Sequence, residues 1–122
     1  MAGNPEFGKR IRELREEKKK TDPSFSLRRF AERVGISATF LSKIETGEFD
    51  PPKADRIIKI AELLGIDKDD LLALAGKVDP ELGDIIRDQP KAMADFLRTA
   101  RESGLSAKEL EKLTEQIKKN RP

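Results

Sequence analysis

Ser26-Leu-Arg-Arg-Phe-Ala-Glu-Arg-Val-Gly-Ile-Ser-Ala-Thr-Phe-Leu-Ser-Lys-Ile-Glu-Thr-Gly47 decides the fold. Ser26 can N-cap a helix, because its hydroxyl accepts a backbone N–H that the first turn leaves unsatisfied. Leu27, Phe30, Ala31 and Val34 then share one face at helical spacing. Gly35 stands where a helix commonly ends left-handed, a conformation that glycine adopts without steric cost. Ile36 plugs the corner. Ser37 caps a second helix, with Leu41 and Ile44 on its inner side, and Glu45-Thr46-Gly47 closes it. The stretch predicts two short amphipathic helices joined at a glycine-containing corner.

That arrangement is the sequence form of a helix-turn-helix. The pattern Ser-x-x-x-Phe-Ala-Glu-x-Val-Gly-Ile-Ser, followed by Leu-Ser-x-Ile-Glu-x-Gly, resembles the phage-repressor (Cro/cI-like, Xre) helix-turn-helix family. The resemblance covers roughly residues 7 to 75, and apolar, glycine and Glu positions all agree in register. It implies an all-α fold: a five-helix lambda-repressor-like DNA-binding domain, which occupies residues 1–76 here. The competing reading is a pair of core helices in an all-α protein unconnected with nucleic acid.

Composition narrows the chemistry. At 122 residues the chain suffices for one domain, or one small domain with an appendage. Charged residues make up 39% and aromatics 5%, so the surface is heavily solvated. No apolar run reaches membrane-span length, and the first residues lack the apolar stretch of a secretion signal; the expectation is a cytoplasmic, nucleoid-associated protein that does not engage a membrane. Neither Cys nor His occurs, which removes thiolate or imidazole metal ligands, disulfides and Cys/His nucleophilic catalysis. No phosphate-cradling Gly-rich loop or nucleophile elbow appears. The expectation is therefore no catalytic residue, no metal and no cofactor. The net charge of +2 is uninformative, but its distribution is not. Residues 1–43 carry 11 basic against 6 acidic side chains, whereas residues 44–76 carry 4 against 8. The basic half contains the helix-turn-helix, as phosphate contact requires.

Residues 1–4 read as a loose terminus. A first helix follows from Pro5, with Phe7, Ile11 and Leu14 on its inner face and mixed charges outside. Most of those charges read as i,i+4 partners on a solvated face. The resemblance implies that Arg15 pairs with Glu45 as a structural ion pair. Thr21-Asp-Pro-Ser-Phe25 is a few residues longer than the link common in the family, and Phe25 can staple against the helix that Ser26 caps. Family members often carry a phosphate-binding Gln directly after this cap. Here the position is Leu27, which leaves Arg28 or Arg29 to take the phosphate.

The recognition helix is expected over Ser37–Ile44. A helix end in the major groove reads base edges from its first turn and one turn on, which points to Ala38, Thr39 and Lys43. The methyls of Ala38 and Thr39 suit thymine methyls, and Lys43 can donate to guanine O6/N7. Ser37 and Ser42 suit phosphates or capping, and Lys53 adds a phosphate contact from the loop. Phe40 is either core or a neighbour of the DNA backbone. Ile57, Ile58, Ala61 and Leu64 mark a fourth helix, started by Pro51-Pro52 and ending at Gly65. Ile66-Asp67 then opens a fifth, with Leu71, Leu72, Leu74 and Ala75.

Past Gly76 the resemblance stops, and residues 77–122 read as about three helices forming a C-terminal dimerisation or partner-binding region. Their apolar positions are Leu82, Ile85 and Ile86; Met93, Phe96 and Leu97; Leu110, Leu113 and Ile117. Ser106 and Glu109 form a capping box. Faces this narrow in some 45 residues cannot bury themselves alone. They dock on the first domain or on a second copy, and a homodimer matches operators built from two half-sites. The leading expectation is a sequence-specific transcriptional regulator, a repressor, that binds a palindromic double-stranded DNA operator as a dimer. The alternative gives these helices to a partner protein: a toxin held by an antitoxin, or a metallopeptidase that inactivates the regulator by cutting them.

Overall fold

Local signals set the helix ends. Asn4 accepts the Phe7 amide through its side chain at 3.0 Å and opens α1 (Pro5–Lys19). Pro23–Phe25 forms a 3-10 turn, capped by the Asp22 carboxylate. The Ser26 hydroxyl accepts from Arg29 N at the start of α2 (Leu27–Val34), and Gly35 ends that helix at φ 90°. The Ser37 hydroxyl accepts from Phe40 N and opens α3 (Ala38–Glu45). Then come α4 (Ala54–Leu64) and α5 (Lys68–Leu74), the latter capped by Asp67. The remaining helices are α6 (Pro80–Asp88), α7 (Pro90–Glu102) and α8 (Ala107–Asn120). This computed structural model describes residues 3–121, and every regular element among them is helical.

The chain divides into two compact units between Pro80 and Glu81. In the first, α1 to α5 enclose one apolar core built on Phe7, Ile11, Phe30, Leu41, Ile44, Ile57, Ile60 and Leu72, all with 0% exposure. Phe25 is buried directly before the Ser26 cap, with its ring 5.7 Å from that of Phe30, so the two rings staple the entry of α2. Lys68 and Asp79 pair at 2.8 Å, tying the end of the unit to the first turn of α5. In the second unit, α6 to α8 contain no buried residue. Leu82, Ile85, Phe96, Leu97, Leu110, Leu113 and Ile117 are exposed there, with Ile117 at 61%, while Ile86 and Met93 are half-buried.

Several expectations need correction. Asn4 is no part of a loose terminus: besides its cap, its amide donates to the Leu74 carbonyl at 3.1 Å. Pro51 and Pro52 do not start α4; they precede it, and Lys53 holds the cap position. Ile60 takes the inward place given to Ile58, which is half-buried, because 57, 60, 61 and 64 is the closer fit to a 3.6-residue turn. α3 spans Ala38–Glu45 where Ser37–Ile44 was expected, a shift of one residue at each end, and Ser37 caps it as expected.

The crossing of α1 and α3 depends on Gly8. A Cβ added there would lie 2.1 Å from the Ile44 carbonyl oxygen and 2.7 Å from that of Glu45. Replacing an interior helix glycine by Ala ordinarily stabilises a helix by about 1 kcal/mol. Here the added methyl meets the backbone of α3, which cannot swing aside as a side chain would, so the helices must part. Gly8→Ala is expected to lower stability by about 1–3 kcal/mol in denaturant titration. An unchanged or raised midpoint would show that the crossing tolerates a side chain.

Candidate nucleic-acid interface

The outward face of α3 is presented by a buried ion pair. Arg15 Nε donates to Glu45 Oε2 at 2.7 Å and Arg15 Nη2 to Oε1 at 2.8 Å, a two-pronged contact. Nη1 donates to the Phe25 carbonyl at 3.0 Å, so one guanidinium joins α1, the 3-10 turn and the end of α3. The Arg15 and Glu45 side chains are 3% and 4% exposed. A carboxylate in the last turn of a helix opposes the helix dipole, and the guanidinium supplies the compensating charge. The hydrogen bonds that Arg15 donates to Glu45, opposed in part by burial, raise the Arg15 pKa, so the guanidinium keeps its charge.

Beyond this pair, α3 turns Thr39 outward into solvent, with Ala38, Ser42 and Lys43 half-buried beside it. Ser37 is exposed, and its hydroxyl is occupied by the Phe40 amide at 3.0 Å. Ser42 lines a small cleft with Arg12, Arg15, Glu16, Lys19, Leu27, Glu45 and Thr46. Ser42 and the first turn of α2 therefore lie together. Arg28 and Arg29 are exposed on that turn, Arg28 at 3.8 Å from Glu32 one turn on. Lys53 lies apart from them, in a second and more apolar cleft with Gly35, Ile36, Phe40, Phe49, Asp50, Pro51, Pro52 and Arg56. Phe40 packs against the core on one side and against the Phe49 ring, centroids 6.0 Å apart, on the other. Lys43 does not reach freely into solvent: its ammonium is 3.7 Å from Glu48 and 5.5 Å from the centre of the Phe49 ring.

Two basic residues escape a reading of the sequence. Arg12 lines the Ser42 cleft without a hydrogen bond or ion pair among the described residues, whereas Lys19 pairs with Glu16 at 3.2 Å. The signal was present, since Arg12 has its i+4 carboxylate, Glu16, shared between Lys19 and Arg15. Arg56 donates to the Val34 carbonyl at 3.4 Å and lies over Gly35, where its charge answers the C-terminus of α2. Nothing local in the sequence announces that contact across 22 residues. Lys18 and Arg33 flank the Phe25 ring at 5.7 and 5.0 Å, extending the basic surface along the end of α1.

Residues 8–77 match the family model described as a helix-turn-helix domain, more than half of the chain. The chain belongs to that family. The HTH-type transcriptional repressor RghR of Bacillus subtilis (strain 168) is 38% identical over 73 residues, covering 60% of this chain and 50% of that protein. The uncharacterized HTH-type transcriptional regulator RghRB of the same strain is 38% identical over 72 residues, 59% of this chain and 48% of its own. The chain thus spans about half the length of the curated relatives it matches. A chain of the solved SinR protein/SinI protein complex is 26% identical with a TM-score of 0.47, over 93% of this chain and 96% of that one. No helix among the described residues is long and apolar enough to cross a membrane.

For this helix-turn-helix domain, Glu45→Leu strands the Arg15 charge in the interior, at an expected cost of about 3–5 kcal/mol in denaturant unfolding. Arg15→Met combined with Glu45→Leu removes both charges and should recover much of that loss. A double variant as unstable as the sum of its two single changes would show that the two side chains do not act as a pair.

Proposed function

We propose that the chain is a DNA-binding transcriptional regulator, acting as a repressor, that lays α3 in the major groove of double-stranded DNA. One observation carries the reading. The inner side of α3 is locked by the core and by Arg15, while on its outer side Thr39 is exposed and Ser42 lines a cleft with Arg12 and Lys19. The repressor sense follows the name of RghR, a relative over the matched half.

In this reading Ala38, Thr39 and Lys43 approach base edges, the two methyl-bearing side chains against thymine and the ammonium toward guanine. Arg28, Arg29, Ser37, Ser42 and Lys53 contact phosphate, joined by Arg12, which lines one cleft with Ser42 and makes no ion pair among the described residues. Leu27 has no polar atom for this task, and Arg12 covers the same cleft from α1. Residues 1–76 form the DNA-binding domain. Residues 77–122 supply dimerisation through the exposed faces of α6 to α8, since seven large apolar side chains there are left at 39% exposure or more. A two-fold dimer matches two half-sites about 34–36 Å apart. A toxin or metallopeptidase using the same helices remains the alternative occupant.

Selection of duplexes from a random-sequence pool tests the reading. Enrichment of a palindrome with half-sites about one turn apart is expected, together with an affinity that falls steeply with salt. Leu110→Asp with Ile117→Asp should turn a dimer into a monomer in sedimentation, and weaken binding to the palindrome while leaving α1 to α5 folded. No enriched sequence, or a chain that is monomeric and unaffected by these changes, would overturn the corresponding half of the proposal.

A further inference from the structure

The loop after α3 folds back onto a single residue of that helix, Lys43. The Glu48 and Phe49 amides both donate to the Lys43 carbonyl, at 2.9 and 3.1 Å. The Glu48 carboxylate is then held at both oxygens: Oε2 accepts the Thr46 hydroxyl at 2.9 Å, and Oε1 stands 3.7 Å from the Lys43 ammonium. On its other side the ammonium meets the Phe49 ring, which is backed by Phe40. Backbone, carboxylate and ring thus converge on the one lysine expected to touch a base.

We propose that Glu48 is a specificity-determining residue, restraining Lys43 so that the lysine contributes to operator binding far more than to binding of arbitrary DNA. The proposal rests on the reading that α3 reads bases. A free lysine is a point charge that any phosphate satisfies, and phosphate attraction supplies nearly all sequence-independent affinity. With Glu48 in place, a backbone phosphate nearing Lys43 meets an ammonium that a carboxylate 3.7 Å away already attracts, and a second negative charge beside it. Guanine O6 and N7 offer two uncharged acceptors in the groove, which the carboxylate repels far less. Glu48 therefore costs affinity everywhere, and most where the partner is phosphate alone. Specificity here arises by disfavouring the wrong complex.

The test compares wild type with Glu48→Gln on the duplex enriched from the random pool and on a scrambled duplex of the same length. The pair is exposed, so its removal is expected to raise affinity for the scrambled duplex about two- to fivefold. Affinity for the enriched duplex should rise less, so the ratio of the two falls. In a Lys43→Met background the same change should alter that ratio by less than half as much. An unchanged or larger ratio for Glu48→Gln would overturn the proposal, as would an equal shift in the Lys43→Met background, which would reduce Glu48 to a general repulsive charge. A wild-type chain that enriches no sequence would instead defeat the reading of α3 itself, and this proposal with it.

Discussion

The first unit depends on the contact between Arg15 and Glu45. Three elements meet at one guanidinium: α1 carries it, the 3-10 turn gives it the Phe25 carbonyl, and α3, 30 residues on, gives it a carboxylate through both oxygens. Apolar packing alone would hold α3 against α1 but allow it to slide or rotate, since dispersion and burial carry no direction. A two-pronged charged contact has a direction. Paired with the Gly8 crossing, where backbone meets backbone without a side chain between, it fixes how far α3 stands from α1 and which way its outer face points. Burial makes the contact expensive to break, and so useful as a positioning device.

Function follows from what that fixed helix leaves unsatisfied. The inward positions Leu41 and Ile44 are spent on the core, and Ser37 on its cap. What remains outside is a short row of small, hydroxyl-bearing and cationic side chains, a composition suited to a groove lined by base edges and flanked by phosphates. The basic residues do not act alike. Lys43 is restrained by Glu48, Arg56 is committed to the end of α2, and Arg12 makes no ion pair among the described residues, so equal formal charges differ in what they can offer DNA. A count of basic residues would miss this.

Much of the first unit was legible because its signals are local. Ser26, Gly35 and Ser37 declare their caps and corner within a few residues, and the apolar spacing of Leu27 to Val34 marks the buried face of α2. Phe25 could be read as a staple because the contact spans a single helical turn. What escaped the sequence is non-local. Asn4 reads as terminus until Leu74 is beside it, 70 residues on, and Gly8 reads as a flaw in a helix until the carbonyls of Ile44 and Glu45 arrive. Lys43 showed its chemistry but not its restraint, since Glu48 belongs to a loop whose fold follows from backbone hydrogen bonds and not from periodicity. The α6 to α8 helices showed their apolar faces plainly, and those faces stay exposed in the single chain.

The central claim is that the outer face of α3, held by Arg15, is the surface that meets DNA. Amide chemical shifts of the isotopically labelled chain, recorded as the enriched duplex is added, test it directly. The account predicts that the largest changes fall on Ser37 to Lys43 and on the first turn of α2, with the Arg12 amide also shifted and the interior amides of α4 little moved. Changes centred on α6 to α8, or spread evenly over the chain with none dominant on α3, would contradict it.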